Sequence, residues 1–386
     1  MKCFLVAYRC TECGRDFEPG KLNYLCPDCS RDYKPGMPLK GVLEAVFDYK
    51  KIAQSWKRKP DLRLFSAVDT KFYPPLPVGN TPLYRPRISG AFPHPNLLLK
   101  LDSQNPSGSF KDRASQLVVA DAVQQGIDEI VAASNGNAAS SLACLAASVG
   151  KKAVIFAPES APPAKLIQIQ VHGAKLHKVK GTYDDAFKAA LDYTHSHHCL
   201  CRNTGYHPLT VDGKKSSGLE IFLQNGQKVP DWIVVPVGDG VILTGIYKAF
   251  VDLQRAGLGE RLPRLLCVQA ESSDAITSYW ESGIYRDALH PETLADSISV
   301  KTPALAHWAV LALWESEGKA LRLSEAEILE AQFGLARQWG VFAEPSSAAT
   351  LAGLQQAKKH GWIKDKDQVV LLITGHGLKD PGAVRL

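Results

Sequence analysis

The 386-residue chain has no long hydrophobic run, no clustered basic stripe, no internal repeat and no low-complexity tract. Its opening stretch, MKCFLVAYRC, breaks its apolar run at Arg9, too early for a membrane span or a signal-peptide core. A cytoplasmic location with no membrane partner is therefore expected. The net charge is +6, from 45 Lys and Arg against 39 Asp and Glu, and it is too dilute over this length to form a nucleic-acid surface.

What is present is an ordinary globular composition, 45% hydrophobic and 22% charged, with apolar side chains enough for large cores. The length points to two domains of roughly 150 to 200 residues. Of nine cysteines, four form two CxxC pairs, Cys10 with Cys13 and Cys26 with Cys29. A chain this long does not need disulfide staples, and two CxxC turns can each present two thiolates to one ion. One structural Zn²⁺ held tetrahedrally in a zinc-ribbon-like module is expected, and iron suits the same ligands. Cys3, Cys144, Cys199, Cys201 and Cys267 lie in apolar stretches and read as small buried hydrophobes with free thiols.

Residues 1–35 thus form the zinc-ribbon-like module. Residues 36–95, rich in Lys, Pro and aromatics, read as a linker and first segment of the core. From 96 to 386 short apolar runs alternate with segments of helical period. Strands are expected at 96–101, 130–134, 153–156, 174–179, 232–237, 265–268 and 369–374, most too apolar to have a wet face, which implies an α/β fold with parallel strands. Helices are expected at 112–125, 137–149, 162–172, 183–196, 215–226, 244–257, 304–317, 324–339 and 346–360, the last two capped by Ser324 and Ser346. The smaller subdomain of the core is placed at about 130–205.

Four strand-to-helix loops carry the chemistry. In Asn105-Pro-Ser-Gly-Ser-Phe-Lys-Asp-Arg113, Gly108 permits a tight turn and Lys111 enters the first helical turn, where the helix field disfavours the ammonium form. That suits a nucleophile and base, although this segment alone equally allows a solvated surface lysine. Ser134-Asn-Gly-Asn-Ala-Ala-Ser-Ser141 offers backbone N–H groups at a helix start, either a carboxylate or phosphate grip or ordinary capping by Asn137. Val237-Gly-Asp-Gly-Val-Ile-Leu-Thr-Gly245 is placed as a phosphate cradle should be, and it matches neither the dinucleotide fingerprint nor the P-loop. Thr374, in Thr374-Gly-His-Gly-Leu-Lys-Asp380, puts a hydroxyl at the carboxyl end of a parallel strand, where α/β sites lie.

Taken in order, these loops resemble the fold-type II pyridoxal-phosphate enzymes, and within them the threonine synthase-like group, over about residues 75 to 382. The resemblance implies two open, twisted, mostly parallel sheets flanked by helices, a pyridoxal 5′-phosphate cofactor and a homodimer. It makes Lys111 the catalytic lysine that holds the cofactor, with Phe110 flanking the ring, Asn137 on its phenolic oxygen and Thr374 on its pyridine nitrogen. Gly238, Asp239, Gly240, Val241, Ile242, Leu243 and Thr244 would bind the cofactor phosphate, and Ser134, Asn135, Gly136, Asn137 and Ala138 the substrate carboxylate. Glu344-Pro-Ser-Ser-Ala-Ala-Thr-Leu-Ala-Gly-Leu354 resembles the family's helix beside the cofactor.

Two segments depart from the family pattern. Asp239 stands where an amide is expected, and Thr210 stands where an arginine would grip a substrate phosphate. His207, Lys214 and Lys215 are the substitute phosphate ligands. The expected activity is elimination or replacement on a small amino acid, O-phosphohomoserine to threonine first. The alternatives are cysteate synthase-type replacement on O-phosphoserine, a threonine or serine dehydratase, and a regulatory binding protein with a decayed cofactor site.

Overall fold

The computed structural model describes residues 3–20, 24–88, 93–161 and 163–384. The chain divides into two compact units, one of Met1–Val78 with Lys111–Ser216 and one of Gly79–Phe110 with Ser217–Leu386. Among the described residues no helix is long and apolar enough to cross a membrane.

The first unit opens with β1 (Leu5–Cys10), which pairs antiparallel with both β2 (Asp16–Phe17) and β3 (Leu43–Phe47). The cysteine module thus shares its sheet with residues beyond 35. Next comes α1 (Tyr49–Arg58), where the Asp48 carboxylate caps the first turn by accepting the Lys51 N–H at 3.0 Å. A second sheet, wholly parallel, has the order β8 (Lys175–Val179), β7 (Lys152–Pro158), β6 (Glu129–Ala133) and β9 (Cys199–Cys201). Helices α2 (Lys111–Gln125), α3 (Asn137–Ala147), α4 (Pro163–Gln170), α5 (Tyr183–Ser196) and α6 (Leu209–Gln224) accompany it, and α6 continues past Ser216 into the second unit. Val131, Val154 and Phe156 pack on Ala186, Phe187 and Ala190 of α5.

The second unit holds a six-stranded sheet in the order β12 (Lys319–Leu323), β11 (Arg264–Ala270), β10 (Trp232–Pro236), β13 (Val369–Ile373), β5 (Leu97–Leu101) and β4 (Leu83–Tyr84). All its pairings are parallel except that of β4. Strands β5, β10 and β13 are buried along their whole length, and the continuous apolar runs of β10 and β13 are what a sheet covered on both faces requires. The helices are α7 (Val241–Arg255), α8 (Ala275–Ser282), α9 (Ala306–Glu315), α10 (Glu325–Trp339) and α11 (Pro345–Lys359). Alanines 348, 349, 352 and 357 let α11 lie close on Val234, Val268 and Leu371.

The α/β architecture matches expectation; β9, β12, α1 and α8 correspond to no expected element, and among the boundaries that differ three helix starts have a clear physical reason. Helix α7 begins at Val241 rather than 244, because Gly240 takes a left-handed φ of 81° and serves as N-cap. Helix α11 starts on Pro345, a residue pre-set for the first helical position, so Ser346 lies inside the helix instead of capping it; Ser324 does cap α10. Helix α6 begins at Leu209, six residues before the expected 215, and runs straight through Gly213. That glycine is there for packing: a Cβ on it would run into the Arg113 carbonyl of α2. Because backbone cannot give way, Gly213→Ala should lower the unfolding free energy by about 1–3 kcal/mol despite alanine's better helix propensity. Denaturant titration of the purified protein measures it.

Candidate active site

The lysine-bearing loop is laced to the strand end opposite it in the second unit. Thr374 follows β13, and its carbonyl accepts the Phe110 N–H at 2.7 Å. Ser109 bridges Gly375, the Gly108 carbonyl accepts the His376 N–H at 3.0 Å, and the Lys379 ammonium donates to the Ser107 carbonyl at 2.7 Å. Gly108 has φ 79°, as its tight turn demands. Phe110 is fully buried, and the next residue, Lys111, opens α2.

The Thr374 hydroxyl lies 2.9 Å from the Ser347 hydroxyl, which also accepts the Gly375 N–H at 2.8 Å. Ser347 is a site residue that the strand-end pattern did not reveal. Its signal was present in the paired serines after Glu344-Pro345, at the start of α11. Gly375 leaves room for the Glu344 carboxylate, which lies where a Cβ would project.

The second element of this unit is the Gly238 loop. From Gly238 through Leu243 no backbone N–H finds an acceptor among the described residues; Thr244 is the first, donating to the Gly240 carbonyl at 3.0 Å. A Cβ on Gly238 would come within 2.9 Å of Val300 Cγ2 and 3.0 Å of Ile298 Cα, so only glycine fits. A run of free N–H groups at the N-terminus of a four-turn helix is an anion site by dipole and by hydrogen-bond demand.

In the first unit, Ser134 follows β6, whose end is held by the Asn203 side chain accepting the Ala133 N–H at 2.8 Å. The Ser134 hydroxyl accepts the Gly136 N–H at 3.2 Å, and Gly136, not Asn137, is the N-cap of α3. The N–H groups of Asn135, Ala138 and Ala139 have no acceptor among the described residues, and residues 135–138 are half-buried.

Residues 75–375 match the family model described as pyridoxal-phosphate dependent enzyme. The chain belongs to that family. It is 32% identical to the threonine synthase of Methanocaldococcus jannaschii and 33% identical to that of Methanosarcina acetivorans, in both cases over 97% of this chain and 93% of the relative. A threonine deaminase from T.th. superposes with a TM-score of 0.65 at 25% identity, covering 77% of this chain and 92% of that one.

The residues of this pyridoxal-phosphate dependent enzyme fit the cofactor where the structure can be asked. The free N–H groups of 238–243 suit a phosphate, and Thr374 offers a neutral hydroxyl. The Asp239 carboxylate, half-buried, has no hydrogen bond or ion pair among the described residues, while its carbonyl accepts the Leu305 N–H at 2.9 Å. Thr210, at the arginine position, and the expected substitutes His207, Lys214 and Lys215 are all buried. Thr210 is fully buried, accepting the Gly205 N–H at 3.0 Å and donating to the His207 carbonyl at 2.7 Å. Lys215 is buried in an ion pair with Asp212 at 2.6 Å and lies 4.1 Å from the centre of the Phe47 ring. Lys214 is fully buried as well.

His207 is 1% exposed, its Nδ1 accepting the Leu209 N–H at 3.2 Å and its ring edge-on to Tyr24. Burial, helped by the Arg202 charge, lowers its pKa to about 3. A neutral, buried ring brings no positive charge to a phosphate.

The four cysteines meet in the first unit. Their sulfurs all lie within 4.8 Å of one another, with Cys13 and Cys26 3.8 Å apart. That spacing is the edge of a tetrahedron with metal–sulfur bonds of about 2.3 Å. Both CxxC turns close alike, Gly14 N–H to the Cys10 carbonyl and Ser30 N–H to the Cys26 carbonyl, each at 3.0 Å. Gly41, at φ 70°, comes so near Cys26 that a Cβ would sit 3.0 Å from its carbonyl. The other five cysteines form no disulfide among the described residues; Cys144, Cys199, Cys201 and Cys267 are buried, as expected, and Cys3 is half-buried.

His207 sets a pH dependence. Its folded pKa lies below the unfolded value of about 6.5, so the unfolded chain binds the extra proton, and stability falls as pH drops from about 6.5 toward about 3, at up to about 1.4 kcal/mol per unit. His207→Asn, which keeps an acceptor for the Leu209 N–H, should show a shallower loss of unfolding free energy between pH 6.5 and 4.5.

Proposed function

We propose that this chain is a lyase or synthase of threonine synthase type, converting O-phosphohomoserine and water to threonine and inorganic phosphate. The observation that carries this reading is the lysine loop hydrogen-bonded across to the Thr374 strand end, in a chain similar to two archaeal threonine synthases over nearly its full length. Lys111 would hold the cofactor covalently, the N–H groups of Gly238–Leu243 its phosphate, Asn137 its phenolic oxygen and Thr374 its ring nitrogen, with Phe110 beside the ring. Bound pyridoxal phosphate supplies an electron sink that acidifies the substrate's Cα proton.

The chain's own residues do the rest. The Lys111 amine, once released, takes the Cα proton on Nζ and returns protons later in the cycle. The backbone N–H groups of Asn135, Ala138 and Ala139 would orient the substrate carboxylate. Thr374 gives the ring nitrogen only a neutral partner, which favours elimination and replacement over transamination.

A second reading, deamination of a hydroxy amino acid, is favoured by one observation. Thr210, Lys214, Lys215 and His207 are all buried, so residues 207–215 present no exposed cation to a substrate phosphate. Assays with O-phosphohomoserine and with threonine distinguish the two: phosphate release with threonine formation supports the first, ammonia and 2-oxobutanoate the second. In either case the purified protein should show a visible cofactor absorption band that Lys111→Ala abolishes. A colourless wild type that pyridoxal phosphate cannot reconstitute contradicts both.

For the cysteine cluster we propose structural Zn²⁺ bound by Cys10, Cys13, Cys26 and Cys29, four thiolates closing the shell against water. Elemental analysis should find about one zinc per chain, lost in Cys13→Ser while the visible band persists. Metal-free wild type contradicts the site.

A further inference from the structure

The second unit buries a charge cluster that no step above uses. Lys100 lies in β5, with Asp102 just beyond the strand and Glu220 on α6, and they are 0%, 0% and 6% exposed. The Lys100 ammonium spends its donors on the Thr81 carbonyl at 2.7 Å, Glu220 Oε2 at 2.7 Å and Gln224 Oε1 at 2.8 Å. The Asp102 carboxylate accepts the Thr81 hydroxyl at 2.6 Å and the Ser217 hydroxyl at 2.9 Å.

Both charges lead to one stretch of backbone. Glu220 Oε1 accepts the Asn80 N–H at 2.7 Å, anchoring a turn in which Gly79 and Asn80 hold left-handed φ values of 81° and 48°. The Gly79 N–H donates to Asn105 Oδ1 at 2.9 Å, and Asn105 Nδ2 donates to the Asp102 carbonyl at 2.9 Å. The Asn105 carbonyl in turn accepts the Gly108 N–H at 2.8 Å. Asn105 begins the loop that ends at Lys111. Buried ion pairs are poor stabilisers, since apolar side chains of similar volume often serve as well, and their distinctive contribution is fixed geometry.

We propose that the Lys100–Glu220–Asp102 cluster is a positioning device for the lysine loop. It fixes the turn at 79–81 and through Asn105 sets the single backbone path that delivers Lys111. The proposal rests on the reading of Lys111 as the cofactor-holding lysine.

The test compares wild type, Asp102→Asn, Ser217→Ala and Ser217→Thr. Each is stripped of cofactor and mixed with pyridoxal phosphate; the growth of the visible band is followed, and the melting temperature of each apoprotein is measured. Asp102→Asn should form the band about tenfold or more slowly. Ser217→Ala should be slowed less, and Ser217→Thr, which restores the hydroxyl, should recover the wild-type rate. If Asp102→Asn does not fold, Ser217→Ala against Ser217→Thr carries the comparison. Wild-type band kinetics and wavelength in variants with a lowered melting temperature overturn the proposal and leave the cluster a stability element. A wild type that forms no band overturns instead the reading of Lys111 on which the proposal stands.

Discussion

One hydrogen bond, from the Phe110 N–H to the Thr374 carbonyl, holds the end of the loop that leads to Lys111 against the strand end that carries the Thr374 hydroxyl. The Gly108 carbonyl, accepting the His376 N–H, completes the Ser109–Gly375 bridge, and the Lys379 ammonium on the Ser107 carbonyl extends the tie along the loop. Three hydrogen bonds on one short segment leave its backbone little freedom.

The rest of the second unit's site is likewise made of backbone. The N–H groups from Gly238 to Leu243 are left without acceptors among the described residues because strand β10 feeds directly into α7 through a turn built on Gly238 and Gly240, and Val300 and Ile298 crowd the spot where any larger residue at 238 would project. Asp239 is tolerated there because the positive end of α7 offsets its charge. Gly375 and Gly213 follow the same logic, each leaving room for a carboxylate or a carbonyl that comes too close for a Cβ.

Much of this was legible in the sequence. Runs such as Trp232-Ile-Val-Val and Val369-Val-Leu-Leu-Ile are too apolar for anything but doubly covered strands, and the loops after them fall where α/β sites lie. The knuckle spacing of Cys10, Cys13, Cys26 and Cys29 predicted the sulfur cluster. What escaped was decided by tertiary contact. Gly213 looks like a helix boundary and is a packing residue; β12 is short and interrupted by Arg322; His207, just before α6, and Thr210, in its first turn, are both buried. Lys100 lies within a strand, and the groups that satisfy it, the Thr81 carbonyl, Glu220 and Gln224, are brought together only by the fold.

The central claim is that Lys111 is the residue bound to the cofactor. Incubating the intact protein with pyridoxal phosphate, reducing with borohydride and sequencing the labelled peptide by mass spectrometry tests it without any assumption about substrate. The account predicts a single label on Lys111. A label on another lysine, or none above background, would contradict it.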